Sequence, residues 1–528
     1  MKKVIKRSIL IFLIVFIPLF IYCIYEAIHL KLYLPNVSIT VNELTPEQKE
    51  EDFIKLTKLV HDIYPFSSIL KTVKGVTDIN SLSQDYIKRA KDSTSNVAFL
   101  QLFIEYTDRL RQAGHGGVVF MSDFDIIKSY TFDIGKDAFL KSQYWMQLAS
   151  TLNLYYHANI SINYVDGVYI VANDITADGI LIPQGSVLKE VNSLAVDEYV
   201  LTLQDITLLR YDDINHKPYT TQIFIKDPGE NAIGWESEFK LSDGTTAKVM
   251  INKLIGYKDT GLSKLYPEDN IFLKSLTDQV GYIKINTFEL RYTKSDNEKI
   301  QEYMKSNGKK LNKIIIDLRG NTGGELTYWM DLLIRPLLKE TVEYTQITAV
   351  KKEFFNIFSI RYPIYRFIYN NDLLDKKSHH ITDVKKISIS NLDSNQWYVY
   401  EITKKLTPNN TFPFNGQLYI LVDNDSISAA DSFVTGVREL QLGTVVGTNT
   451  YGWGNAFASP FTFSLPNSGL MFQMDVELAY NTDDRETSIY GTKPNIILGP
   501  SQYPTAYLTN YELEALLSDK WIQWCITQ

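Results

Sequence analysis

Residues 417–440 read QLYILVDNDSISAADSFVTGVREL. Leu418 to Val422 form an unbroken apolar run that ends in acidic and amide residues. Beyond the serines, Phe433, Val437 and Leu440 recur at helical spacing. This order predicts a buried strand over 417–424, a turn, and a helix over 428–440. The same order stands upstream, where the strand-like KIIIDL (313–318) meets the glycine-rich RGNTGG (319–324) and then the helical ELTYWMDLLIRPLL (325–338). GYIKINTF (281–288), NEKIQEYMK (297–305) and GTVVG (443–447) extend the alternation of strand and helix. Strand–helix–strand order requires crossover connections and therefore a mostly parallel sheet. Ligands of such sheets gather outside the carboxyl ends of the strands, where both turns fall.

Each turn has a chemical and a plain reading. In DLRGNTGG (317–324), Gly320, Gly323 and Gly324 permit positive φ and close backbone approach. Successive backbone N–H groups before a helix form an anion-friendly nest. The stretch matches neither G-x-x-x-x-G-K-[ST] nor G-x-G-x-x-G, so nucleotide phosphate binding is not indicated. In DSISAAD (425–431), a serine at a helix N-terminus could act as a nucleophile, since the helix dipole favours the charge that develops in acyl transfer. Ser426 or Ser428 could equally cap the helix. No histidine lies within forty residues of these serines, so a base must come from elsewhere in the chain.

The bulk properties narrow the classes. A chain of 528 residues exceeds one hydrophobic core, and two to four domains are expected. A net charge of −8 gives no electrostatic case for nucleic acid. Two cysteines, Cys23 and Cys525, and seven histidines without HExxH spacing indicate no disulfide framework, no metal site and no cofactor. The N-terminus carries a different signal. MKKVIKR (1–7) is basic, and Ser8 to Tyr25 are 18 residues without a charge. That length approaches a spanning helix, and the basic flank favours an N-inside orientation. Poor cleavage signals beyond it point to an uncleaved anchor, a single-pass placement in the cell membrane with the rest of the chain outside the cytoplasm.

From this pattern the domains are read as a membrane segment (1–30), a helical domain (31–157), a small β-rich module (158–256), a strand–helix domain (257–510) interrupted by an insertion (340–412), and a C-terminal segment (511–528). Thr45-Pro46-Glu47-Gln48 announces the first helix as a capping box with proline at its first position. Phe99, Phe103, Tyr106 and Leu110 line a second helix over 95–112, which stops at AGHGG (113–117). SEFKLSDGTTAKVMI (237–251) reads as a hairpin turning at Asp243-Gly244. The aromatic stretch 354–369 in the insertion reads as a packed subdomain or lid. His379-His380 reads as an exposed loop pair.

The paired turns resemble those of the tail-specific, or C-terminal processing, serine peptidases, with the tricorn core protease as a distant relative. The family runs DLRxNxGG, then VDxxSASASE; this chain has DLRGNTGG and VDNDSISAAD. ILIPQGSVLKEVNSLAVDEYV (180–200) is similar to the PDZ domain of these enzymes, VVGTNTYGWGN (445–455) to their vVGxxTfGKG segment, and YGTKPNI (490–496) to xGVxPDI. The resemblance implies an α/β catalytic core of the ClpP/crotonase type beside a helical domain and a PDZ-like domain. It implies a serine endopeptidase acting on polypeptide tails. Carried over by position, Ser428 is the nucleophile, the backbone N–H groups of Gly324 and Ala429 form the oxyanion hole, and Asp431 replaces a glutamate.

One departure is plain. The lysine that serves as base in the bacterial enzymes corresponds to Trp453, whose indole cannot accept a proton in that role. Tricorn-like members use a histidine ahead of the PDZ region with a distal glutamate. RQAGHGGV (111–118) resembles the corresponding segment and offers His115, a suitable base near neutral pH. Glu486 is the expected acidic partner, with Asp484 second. The competing expectations are a catalytically inactive homologue that binds peptides, and a carrier of small apolar ligands.

Overall fold

A computed structural model describes most of residues 41–528; the main stretches outside the described residues are 1–40, 68–78, 111–114, 119–135, 226–231, 258–268, 355–377, 380–391, 455–459, 481–486 and 499–511. The apolar segment Ser8–Tyr25, Asp484, Glu486 and most of 354–369 therefore lie outside them. Among the described residues, no helix is long and apolar enough to cross a membrane.

The two glycine- and serine-containing turns hang from a six-stranded sheet. Its strands are, in spatial order, Ile271–Ser275, Val280–Ile285, Lys313–Asp317, Gln417–Val422, Thr444–Gly447 and Ile496–Ile497. The first pairs antiparallel with the second, and all later neighbours pair parallel. Burial on both faces explains the continuous apolar runs of its central strands. One face packs on Phe288, Trp329, Phe433 and Val437 from the crossover segments. The other packs on the C-terminal helices Leu513–Ser518 and Lys520–Thr527 through Trp521 and Ile522.

The parallel reading holds for this sheet alone, and across the molecule antiparallel pairing prevails. The β-rich module is an antiparallel sheet in the order Leu154–Ala158, Thr246–Tyr257, Gly234–Lys240, Val187–Val191, Val168–Val171, Ile162–Val165. The expected hairpin is present, with Gly244 at φ +88° and Asp243 accepting from the amide of Thr245. The insertion, which showed little pattern in sequence, contains a long hairpin. Val342–Lys351 pairs with Trp397–Leu406, and its outer side pairs with Glu477–Tyr480. His379 is not in a loop but in the short strand Ser378–His379 on that hairpin.

The N-terminal helices do not form a separate body. Pro46–Ile63 starts with the expected capping box, and Asn96–Leu110 follows. Ile79–Asp92 and Lys136–Thr151 are further helices that the sequence reading did not place. Their apolar faces share one core with the β-rich module and with residues 461–480 of the catalytic domain. Buried Asp52 accepts from the amides of Asn467 and Ser468, at 2.9 and 2.8 Å. Trp145 donates its indole N–H to Ser468, and Phe103 packs edge-on to Phe472. This interface brings His115 across to the catalytic sheet.

Candidate active site

The two strand-end turns are sewn together by backbone. The amide of Leu318 donates to Leu421, that of Gly320 to the Asp423 carboxylate, and that of Ile427 to Asn321. Asn321 folds its own loop by accepting from Gly323 and donating to Ile285. Gly323 has φ +87°, and a Cβ there would lie 2.6 Å from the Ile427 carbonyl oxygen and 2.9 Å from the Ala429 nitrogen. Only glycine lets the loops approach this closely.

The serines divide cleanly. Ser426 is fully buried; its hydroxyl donates to Leu318 and accepts from the amide of Asp423. It locks the two strand ends and is spent on that. Ser428 sits at the N-cap of the helix Ala429–Glu439, yet its side chain makes no capping bond. Its backbone is at φ 58°, ψ −119°, an uncommon conformation for a residue with a Cβ. Strain of this kind at a strand-to-helix turn lifts a hydroxyl clear of the backbone. Among the described residues, the amides of Gly324 and Ala429 have no acceptor. Two unpaired donors beside a hydroxyl are what an oxyanion requires.

His115 meets that hydroxyl. Its Nε2 lies 3.0 Å from Ser428 Oγ. The strand Gly116–Val118 pairs antiparallel with Met471–Met474, in register Gly116 to Met474, which puts His115 beside Asp475. His115 Nδ1 is 3.2 and 3.3 Å from the two Asp475 oxygens. The backbone N–H of His115 donates to the same carboxylate at 2.7 Å, and the amide of Asp475 returns a bond to the His115 carbonyl at 2.9 Å. A carboxylate only accepts, so it selects the tautomer with the proton on Nδ1 and leaves Nε2 free to accept from serine.

Asp475 is the residue that the sequence reading missed. The carboxylate at His115 is Asp475; Glu486, the expected partner, lies outside the described residues. The reason is topological: strand pairing carries the histidine to the end of 471–474. A signal was available, because Asp475 is an acid inside the apolar run GLMFQMDVELAY (469–480), and a buried charge needs a partner.

Trp453 packs its ring against His115, with centroids 5.1 Å apart and planes inclined at 49°. Tyr451 meets Trp453 edge-on at 4.7 Å, and the Arg210 guanidinium lies 3.3 Å from the Tyr451 ring centroid. Arg210 also donates to the Asn424 carbonyl. A column thus runs from the β-rich module to the histidine. Beside it a cleft opens between module and catalytic turns, lined by Tyr164, Asp212, Tyr219 and Thr448 among others.

Charges behind the site hold the loops. Burial would raise the pKa of Asp317, but the charges of Arg319 and Lys284 keep it well below the usual carboxylate range. Arg319 also reaches Asp519 at 2.8 Å, which ties the glycine-rich turn to the C-terminal helix. Asp431 accepts from Thr450 Oγ1 and from the Thr492 amide, a structural task that a shortened acid can perform. Among the described residues, no three His, Cys, Asp or Glu side chains gather as a cation site would need.

Comparison with known proteins follows the same outline. No curated protein matches the chain. The structure of mature CPAF superimposes with a TM-score of 0.54 at 15% identity, covering 91% of this chain and 96% of that one. Mature CPAF complexed with lactacystin gives a TM-score of 0.53 at 14% identity, with 91% and 97% covered. At such identities the likeness is one of fold. Residues 279–498, which contain both strand-end turns, match the model of peptidase family S41. Over this stretch the chain is similar to peptidase family S41.

Proposed function

We propose that the protein is an active serine peptidase that cleaves polypeptide tails, with Ser428 as nucleophile, His115 as general base and Asp475 as the group that orients the base. The observation that carries this reading is the 3.0 Å contact from His115 Nε2 to Ser428 Oγ, with Asp475 at the opposite ring nitrogen. As Oγ attacks the scissile carbonyl, Nε2 takes its proton, and the N–H groups of Gly324 and Ala429 receive the oxyanion. His115 then gives the proton to the leaving amine. Water repeats the sequence to release the acyl group from Ser428. An inactive homologue would have no use for a strained serine within reach of an oriented histidine.

The preference for tails rests on the motif resemblance and on the antiparallel module beside the site, since a sheet edge can take up a peptide as an added strand. The charge-free stretch Ser8–Tyr25 supports placement at the cell membrane with the catalytic part outside. Shaving of intact cells by an added protease tests that placement; protection of the catalytic part until lysis would refute it.

The activity test uses full-length protein in detergent with unfolded substrates carrying free C-terminal tails, alongside a fluorophosphonate label. The expected result is cleavage and labelling by the wild type and neither by Ser428→Ala. Equal cleavage by the two proteins would sink the assignment.

A further inference from the structure

We infer that Trp453 is a positioning residue for the reaction, which steadies His115 and stabilises the imidazolium formed when the histidine takes the serine proton. This rests on the proposed Ser428–His115 mechanism and adds a residue to it.

Three observations converge. The Trp453 ring lies within cation–π range of the His115 ring, at 5.1 Å between centroids. Trp453 has φ +64°, where a bulky side chain is a rare and strained occupant. The strain is held from several sides: the Trp453 amide donates to Ser488, the Gly452 carbonyl accepts from the amide of Ser428, and Tyr451 packs edge-on against the indole. The same loop therefore fixes the serine backbone and places the aromatic ring on the histidine. A ring needed only as filler would not require a left-handed backbone.

The electrostatics follow from the groups around His115. Asp475 faces Nδ1 from the end of the 471–474 strand. Ser428 faces Nε2 from the helix start. Burial pushes up the pKa of Tyr64, at the end of the first helix, and the nearby Asp475 charge raises it further. Arg210 stands beyond Tyr451, two rings away from the histidine. With Asp475 on one edge, the electron-rich indole adds a second stabilising contact for a positive imidazole, and it adds it only once the proton has moved. Such an interaction lowers the barrier instead of merely tightening the ground state.

The test compares wild type, Trp453→Phe and Trp453→Leu by two readings. One is the His115 pKa from NMR of the histidine-labelled protein in the Ser428→Ala background, where no turnover is needed. The other is the pH profile of fluorophosphonate labelling in proteins that keep Ser428. In Trp453→Leu the His115 pKa should fall by about half a unit to one unit. The rising limb of the labelling profile should move to lower pH with it, and the plateau rate should drop by roughly three- to tenfold. Trp453→Phe should restore most of both. A His115 pKa that stays put or rises in Trp453→Leu overturns the inference, even where the rate falls. Failure of the underlying mechanism looks different: wild-type protein would not label, or would label equally after Ser428→Ala.

Discussion

Asp475 holds His115 at two points, accepting from the backbone N–H at 2.7 Å and from ring Nδ1 at 3.2 Å. The first bond fixes where the residue sits and the second fixes how its ring turns. An asparagine could still accept from the backbone, but it can also present an N–H to Nδ1 and select the wrong tautomer. Asp475→Asn should therefore fold normally and lose roughly 10³- to 10⁴-fold in the acylation rate. Circular dichroism and the rate of fluorophosphonate labelling check this together. A loss below tenfold in a folded variant would remove Asp475 from the mechanism.

The two neighbouring serines should separate in opposite ways. Ser428 makes no capping bond, so Ser428→Ala should leave the melting temperature nearly unchanged, or raise it, while abolishing labelling. Ser426→Ala strips the bond to Leu318 and leaves buried groups unpaired, at a cost of about 1–3 kcal/mol of stability. It should keep a measurable rate of labelling. Urea titration beside labelling distinguishes the pair, and loss of labelling in both with full stability in both would contradict the division.

Gly323 faces the serine turn with no room for a side chain. A Cβ would lie 2.8 Å from Ser428 Cβ and 2.6 Å from the Ile427 carbonyl, at a φ that only glycine adopts freely. Gly323→Ala should force the two turns apart and displace the Gly324 amide from its place. A loss in labelling rate of roughly a hundredfold or more is expected, with a smaller fractional loss in binding of a non-reactive peptide. Equal losses in both would mean that the turn serves binding and not the transition state.

The sequence made the parts of the site that rest on local patterns legible. The strand 417–422, its helix 429–439 and the glycine-rich turn follow from apolar periodicity and from residues that tolerate positive φ. His115 was found through its glycine-flanked turn and a family resemblance. Asp475 was not, because its role depends on pairing the strand 116–118 with 471–474, a contact spanning some 360 residues. The insertion hairpin escaped for a similar reason. Val342–Lys351 buries the polar Gln346 and Thr348, which donate to the Tyr344 hydroxyl and the Leu478 carbonyl, so its apolar pattern is broken in sequence. Local periodicity cannot reveal a partner that arrives from a distant segment.

Asp423 sets a pH dependence of stability. Burial, with the nearby Asp425 charge, pushes its pKa up to about 6, although its carboxylate accepts from the amides of Gly320 and Asp425. An unfolded aspartate titrates near 3.9. Between these values the folded protein binds the extra proton, so stability is fullest below about pH 4 with respect to this group and declines as pH rises through 6. The decline is on the order of 1–3 kcal/mol. Asparagine keeps an acceptor oxygen and carries no charge, so Asp423→Asn should remove that slope and be at least as stable as wild type at pH 7.5. Urea unfolding at pH 4.5, 6 and 7.5 measures both proteins. A wild type that gains stability across this range, relative to Asp423→Asn, would show that the two amide donors outweigh burial and that Asp423 is an ordinary ionised clamp between the turns.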